Sequence, residues 1–149
     1  MIRSLIIASL ATLYWQPPMP ISAEKLLPPC PSTPNCVSSE ATRASQRVPT
    51  VPFTDAPAAA LARAKVALLA EPRTTLTAER DGYLHAECKS FLFRFVDDVD
   101  IVVDPIAQVY HFRSASRVGA SDLGVNRKRL ARIAARLASR QALPSTTSK

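Results

Sequence analysis

Residues 99–113, VDIVVDPIAQVYHFR, contain two alternating runs separated by a connection that begins at Asp104. Alternation of apolar and polar residues is typical of strands with one buried face. If Asp104 faces Val109 in an antiparallel pair, Asp100 faces Arg113 on a polar face, and the aromatic side chains share the other face. A slip of one residue would bury the aspartates. The stretch therefore predicts a hairpin with an ion pair between Asp100 and Arg113.

The segments on either side of this hairpin predict two helices and further strands. The first helix is expected to begin at Thr54 or Asp55, either of which can cap it, and to end before Pro72. The second is expected to begin at Asn126, again a possible cap. Alternating runs predict five strands, at residues 74–80, 83–89, 91–95, 99–103 and 109–116. This order indicates an α+β fold with an N-terminal helix, an antiparallel sheet of about five strands and a C-terminal basic amphipathic helix.

The length of the chain limits it to one domain of ordinary size. It has 149 residues, of which 47% are hydrophobic and only 3 are glycine, which disfavours a glycine-rich nucleotide loop. The expected organisation is a signal peptide at residues 1–23, an arm at 24–53, a single domain at 54–140 and a polar tail at 141–149.

The first residues are typical of a signal peptide. Arg3 precedes an apolar run at residues 5–15, shorter than the roughly 18 residues that a membrane-spanning helix needs. Residues 21–23, ISA, form a small-residue cleavage site before Glu24. The expected localisation is therefore the bacterial periplasm or cell envelope, with a retained anchor or a cytosolic segment as the alternatives.

The arm at residues 24–53 is rich in Pro, Ser and Thr and is expected to be irregular. Cys30 and Cys36 lie in it, and an oxidising compartment would allow them to form a disulfide. Such a short loop contributes about 2 kcal/mol in the chain-entropy model. Cys88 is then the odd cysteine, expected in a strand as a small buried hydrophobe. Pairings that include Cys88 remain open.

The net charge of +7 is concentrated at one end of the chain. Residues 126–149 contain seven basic residues and no acidic one, which leaves 12 basic and 12 acidic residues in 1–125. On the second helix, basic residues recur at every fourth position, at Lys128, Arg132, Arg136 and Arg140. This stripe predicts either a peripheral contact with anionic lipid or a solvated outer face. Export and the lack of aromatic residues in the helix disfavour a nucleic-acid partner, and none is predicted.

Five segments are unusual enough to carry a family resemblance. They are CPSTPNCVSS at 30–39, YLHAE at 83–87, LFRFVDDV at 92–99, RSASRVG at 113–119 and SDLGVNR at 121–127. Together they resemble the family catalogued as DUF1499, over roughly residues 30–137. The resemblance implies an exported or membrane-associated protein of unknown function, and it implies no reaction and no catalytic residue.

The segment from 113 to 129 is the best candidate for a binding site. Its guanidinium, hydroxyl and amide groups run into a helix N-terminus, an arrangement that suits phosphate or carboxylate. The candidate ligand-binding residues are Arg113, Ser114, Ser116, Arg117, Ser121 and Asn126. The alternative is structural, with Arg113 paired to aspartate and the polar residues shaping and capping the loop.

Two further groups of polar residues predict weaker sites. Asp98, Asp100 and Asp104 share a strand face, which predicts a solvated face with an ion pair rather than a cation site, because calcium-loop spacing is absent. His85 and Glu87 share a face of another strand. A metal or acid–base role would need these groups to converge, and their spacing matches no zinc motif. No metal or cofactor is predicted, and no catalytic residue is assigned.

The leading functional prediction is a binding protein of the cell envelope for an anionic small molecule or lipid headgroup. The sequence is more consistent with a non-enzymatic protein than with an enzyme. The alternatives are a hydrolase-like enzyme that uses His85, Glu87 and Asp98, and a structural or interaction module of the envelope. If those three side chains lie far apart in the structure or point to different faces, the enzyme hypothesis fails.

Overall fold

The computed structural model describes residues 27–90, 95–119 and 121–141. The expected signal peptide lies outside these residues, and so does the polar tail beyond Gln141. The elements are β1 (Cys36–Ser38), a 3₁₀ turn (Ala44–Gln46), β2 (Val51–Pro52), α1 (Pro57–Leu69), β3 (Thr74–Arg80), β4 (Tyr83–Lys89), β5 (Val96–Asp104), β6 (Val109–Ser116) and α2 (Val125–Gln141). The described residues form an α+β fold, with six antiparallel strands and two helices.

The sheet follows the order β1-β6-β5-β4-β3, and β2 also pairs with β6. Asp104 faces Val109 and Asp100 faces Arg113 across β5 and β6, so the hairpin has the register that the alternating pattern predicts. Tyr110 and Phe112 lie on the buried face, with 0% and 1% of their surface exposed. The register is favourable because it places five apolar side chains of the hairpin on the buried face, those of Val99, Ile101, Val103, Tyr110 and Phe112.

The core lies between this buried face and the two helices. It contains Ile101 and Tyr110 from the sheet, Leu68 from α1 and Ile133 and Leu137 from α2, all fully buried. The opposite face of the sheet carries polar side chains and is called the open face below. A sheet with helices on one side therefore leaves its polar face available for a site.

The arm is not irregular throughout, which corrects the prediction for residues 24–53. β1 and β2 both pair with β6, because two short segments of the arm complete the edge of the sheet. A disulfide joins Cys30 to Cys36. Leu27, before the disulfide, is 3% exposed, and its N–H donates to Glu40 at 3.1 Å.

Neither predicted helix cap is correct. In α1 the residue before the first turn is Ala56, without a side-chain cap, because Asp55 instead pairs with Arg63. At α2 the carboxylate of Asp122 accepts a hydrogen bond from the N–H of Asn126 at 2.8 Å. The side chain of Asn126 is therefore free for contacts in the core.

The third predicted strand falls largely on residues 91–94, outside the described residues. Phe95 precedes β5 and is 50% exposed. β5 itself begins at Val96, three residues before the predicted start. The reason is that Asp97 pairs with Ser116 and Asp98 with Ala115, so the acidic residues belong to the strand.

Candidate functional site

The open face gathers titratable side chains from three neighbouring strands. Side chains alternate between the two faces of each strand, so residues two apart are neighbours. The group comprises Tyr83, His85 and Glu87 from β4, Asp98, Asp100 and Asp104 from β5, His111 and Arg113 from β6, and Arg117 just beyond β6. We call this set the open-face cluster.

Asp100 is the centre of the cluster. Its side chain is only 4% exposed and has three partners on two neighbouring strands. The hydroxyl of Tyr83 donates to Oδ1 at 2.7 Å, Nδ1 of His85 lies 2.7 Å from the same atom, and Nη1 of Arg113 donates to Oδ2 at 3.2 Å. Burial, together with the hydrogen bond to and the charge of Asp100, raises the pKa of Tyr83 to about 12.

Arg117 is fixed by two carboxylates at the edge of the cluster. Its Nη2 atom donates to Asp98 at 2.7 Å and to Glu87 at 2.6 Å, and its Nε also donates to Asp98. These hydrogen bonds, with Asp98 first and Glu87 second, raise the pKa of Arg117. Nε2 of His85 lies 3.4 Å from Oδ1 of Asp98. His85, Glu87 and Asp98 therefore converge, which is the geometry that the enzyme hypothesis requires.

A shallow groove of about 420 Å³ runs over this cluster. Its lining residues are Pro28, Ala78, Arg80, Tyr83, His85, Asp98, Asp100, Arg113 and Arg117. We call it the polar groove. Pro28 comes from the arm, between Leu27 and the disulfide, so the arm forms one wall. The guanidinium of Arg80 lies 4.6 Å from the centre of the Tyr83 ring, a cation–π contact that fixes both side chains.

Arg113 has donors in excess of its partners. Its side chain is 14% exposed, and its Nε atom is buried without a hydrogen-bond partner among the described residues. A buried N–H without a partner is unfavourable, and guanidinium groups have five donors. Arg113, a groove residue with unused donors, is thus held in place by a buried carboxylate.

The predicted ligand-binding residues do not form one site. Arg113 and Arg117 lie on the open face, whereas Ser114 and Asn126 are fully buried on the face that the helices cover. Ser116 lies beside them, because its Oγ accepts a hydrogen bond from Asn126 at 3.1 Å. A single small anion cannot contact both faces of the sheet. Ser121 is exposed and accepts a hydrogen bond from the N–H of Leu123.

The buried half of this set forms a structural network with residues that the sequence analysis did not select. Asn126 Oδ1 accepts hydrogen bonds from Ser114 at 2.6 Å and from Arg129 at 2.6 Å, and its amide donates to the carbonyl oxygen of Asn35. Arg129 also donates to Asp97 at 2.7 Å. The network joins the arm, the sheet and α2. Asp97 lies next to Asp98 in the sequence but on the opposite face.

Part of the basic stripe on α2 has a partner within the chain. Arg132 Nη2 donates to Glu71 at 2.6 Å, and Arg136 also donates to that carboxylate, whose side chain is 1% exposed. Burial raises the pKa of Glu71, but the hydrogen bonds and charges of the two arginines outweigh it, so the pKa is lowered overall. Lys128 is exposed, and the side chain of Arg140 lies outside the description. Two of the four stripe residues therefore stabilise the fold.

The second histidine, His111, lies at the other end of the open face. Its Nδ1 is 3.3 Å from the hydroxyl of Ser39 and its Nε2 is 3.7 Å from Asp104. Glu87, Asp104 and His111 belong to the open-face cluster but do not line the polar groove.

Among the described residues, no group of three or more His, Cys, Asp or Glu side chains is arranged to hold a metal ion. Cys88 is a free thiol that is 1% exposed, and burial raises its pKa.

Sequence reasoning missed Arg80, Tyr83 and Pro28 as groove residues. The alternating pattern could have identified Tyr83, since it is two residues before His85 on the same strand and therefore shares a face with it. Arg80 faces Tyr83 across the β3–β4 pair, which a predicted hairpin also indicates. Pro28 carries no such signal, because the path of the arm over the sheet depends on long-range contacts.

No helix of the described residues is long and apolar enough to span a membrane. No curated protein matches this chain. A family model does match it over residues 26–137, and its description is "Protein of unknown function (DUF1499)". The match covers every described strand, α1, every residue of the polar groove and α2 as far as Leu137. Since this is well over half of the 149 residues, the chain belongs to the DUF1499 family.

Proposed function

We propose that this protein is an exported binding protein of the cell envelope and that its polar groove holds an anionic small molecule or lipid headgroup. The observation that carries the proposal is the state of Arg113. Its guanidinium lines the groove and is oriented by the buried Asp100, and its buried Nε has no hydrogen-bond partner among the residues that the structure describes. Such a preorganised guanidinium favours phosphate or carboxylate, which accept hydrogen bonds along one edge of the group.

The hydrogen-bond donors of the groove also favour an anion. Three guanidinium groups line it, those of Arg80, Arg113 and Arg117, against the two carboxylates of Asp98 and Asp100. Asp100 already accepts hydrogen bonds from two donors besides its contact with His85. Glu87, just outside the lining, also accepts a hydrogen bond from Arg117 and balances the third positive charge. The excess of the groove is therefore in hydrogen-bond donors rather than in net charge.

The proposed site differs from the predicted one in its membership. It keeps Arg113 and Arg117 and adds Arg80, Tyr83 and His85. Ser114, Ser116 and Asn126 support the fold from the other face of the sheet, and Ser121 contacts its own loop. The proposed anion site therefore lies on the open face of the sheet rather than in the loop before α2.

Thermal unfolding with and without inorganic phosphate tests the proposal. A ligand that binds only the folded state raises the Tm as its concentration rises. We expect a concentration-dependent rise that is lost in Arg113→Lys, which keeps the charge beside Asp100 but removes the planar fork. Lys128→Gln, which removes an exposed cation of α2 outside the groove, is the control and should retain the rise. If inorganic phosphate, acetate and a soluble alkyl phosphate all leave the Tm of the unaltered protein unchanged, the binding function is wrong.

Export is a separate part of the proposal. It is supported by the short apolar run after Arg3, by the small-residue site before Glu24 and by the disulfide between Cys30 and Cys36. We expect the protein in the periplasmic fraction, with a mass that corresponds to a chain beginning at Glu24. An intact chain with reduced Cys30 and Cys36 in the cytosolic fraction would exclude export.

A second candidate function is acid–base catalysis on the same face. It is favoured by the position of His85, whose two ring nitrogens lie 2.7 Å from Asp100 and 3.4 Å from Asp98. An imidazole held between carboxylates and facing a groove is a common general base. We expect the hydrolysis of nitrophenyl phosphates or esters, if it is present, to be lost in His85→Gln. Equal rates for both proteins across these substrates would remove this candidate.

A further inference from the structure

The polar groove adjoins a second, apolar cavity at the end of the sheet. This cavity has a volume of about 680 Å³, within the range of small-molecule sites. Its apolar lining includes Pro57 and Leu61 of α1 together with Val102 and Pro105 of the β5–β6 hairpin. We call it the apolar cleft. It lies between the first turn of α1 and the two hairpin turns at that end of the sheet.

The two cavities share a boundary. Pro28, Arg80 and Tyr83 line both of them. The ring of Tyr83, with the guanidinium of Arg80 against it, therefore separates a compartment lined by arginine and carboxylate groups from one lined mainly by apolar side chains. A molecule that lies across this boundary would meet donors at one end and apolar surface at the other.

Neither an apolar ligand nor a free anion alone accounts for both the polar groove and the apolar cleft. An apolar ligand would accept no hydrogen bond from Arg113 or Arg117, and a free anion would not cover the apolar surface that half-buried Leu61 and exposed Pro105 present to the cleft. Burial of apolar surface is favourable in proportion to its area, and concave sites with few polar groups use those groups to orient the ligand. The combination fits a ligand with an anionic head and an apolar chain.

We propose that the ligand of this protein is an anionic amphiphile. Its phosphate or carboxylate head lies in the polar groove at Arg113, and its alkyl chain passes Tyr83 into the apolar cleft beside Leu61. This inference rests on the proposed binding function, and it names the ligand class of the same site. It separates a lipid-like ligand from free phosphate, which has the same head but no chain.

Titration calorimetry of the full chain with methyl, butyl and octyl phosphate tests the inference, at concentrations below micelle formation. Each methylene that enters the cleft should tighten binding about fourfold. Octyl phosphate should therefore bind at least a hundredfold more tightly than methyl phosphate, since only part of the chain needs to be buried to reach that ratio. The measured quantity is the ratio of the two affinities.

Leu61→Ser should lower this ratio, because it replaces apolar surface inside the cleft with a hydroxyl. Leu69→Ser is the matched control, since Leu69 belongs to the same helix, is 44% exposed and does not line the cleft. It should leave the ratio unchanged. Far-UV circular dichroism and the Tm of both variants establish that they fold.

The outcomes separate this inference from the proposed function. If methyl phosphate binds at Arg113 and chain length has no effect, the amphiphile is wrong and the anion-binding function stands. If no alkyl phosphate of any length binds, both are wrong. If binding tightens with chain length but equally in Leu61→Ser, and also in Arg113→Lys, then the chains adsorb elsewhere and the inference is overturned.

Discussion

Nη2 of Arg129 lies 2.7 Å from Oδ2 of Asp97, with both side chains less than a tenth exposed. This ion pair joins α2 to the first residues of β5 beneath the sheet. The next residue, Asp98, lies on the open face and contacts Arg117 instead. Two consecutive aspartates thus serve opposite faces, one in the core and one at the groove.

The pair of variants Asp97→Asn and Asp98→Asn should separate these two environments. Removing one charge of a buried ion pair costs about 3–5 kcal/mol of unfolding free energy, because the other charge is left uncompensated. The Asp98 side chain is 22% exposed, and loss of an accessible ion pair costs at most about 1 kcal/mol. Urea unfolding followed by circular dichroism measures both. Equal losses would contradict the assignment of the two residues to different faces.

Glu71 should make stability depend on pH. Its pKa is lowered from 4.5 in the folded state, so its carboxylate stabilises the fold above the unfolded pKa, and this contribution is lost as the pH falls through the folded pKa. Glu71→Gln should therefore be less stable than the unaltered chain at about pH 7, and the difference should disappear in acid. The urea midpoints of Glu71→Gln and of the unaltered chain, compared from about pH 7 into acid, measure this difference in stability.

Glu79→Gln is the control for that experiment. Glu79 also pairs with a cation, Lys65, but both side chains are about 40% exposed, so the pair contributes little. A pH dependence of the same size in both variants would show that the ion pairs of Glu71 with Arg132 and Arg136 are not its cause.

Asp100 should control the ionisation of Tyr83. Burial and then the hydrogen bond to Asp100 raise the pKa of Tyr83 to about 12, so Asp100→Asn should lower that pKa. Because the folded pKa is the higher one, Tyr83 favours the folded state below pH 10, and this is lost as the pH rises through about 12. Ultraviolet titration of tyrosinate measures the shift, with Tyr83→Phe to identify the transition. An unchanged transition in Asp100→Asn would contradict the contact.

Reduction of the disulfide between Cys30 and Cys36 should destabilise the chain modestly. The closed loop is short, with a sequence separation of 6, and the chain-entropy model gives about 2 kcal/mol for such a loop. Urea unfolding with and without dithiothreitol measures the difference. Cys88→Ala should respond to the reductant in the same way, since Cys88 is a free thiol. Stability that does not change on reduction would mean that the disulfide does not constrain the arm.

The pattern of the sequence was sufficient for the β5–β6 hairpin. Strand side chains alternate with a period of exactly two, so one register alone buries Tyr110 and Phe112 while it leaves Asp100 beside Arg113. Local rules failed at the helix ends. Several adjacent residues could serve as caps, and the partners that compete for them are distant. Asn126 has a capping side chain, but Ser114 and Arg129 bind it in the core.

The sequence by itself determined the α+β class, the pairing of Asp100 with Arg113 and the family resemblance, because these depend on local period and motif. Only the tertiary structure decided which polar residues share a site. The pleat places Arg113 and Ser114, neighbours in the chain, on opposite faces of the sheet, and the arm adds Pro28 from a distant part of the chain. Such convergence depends on long-range packing, which a linear pattern does not encode.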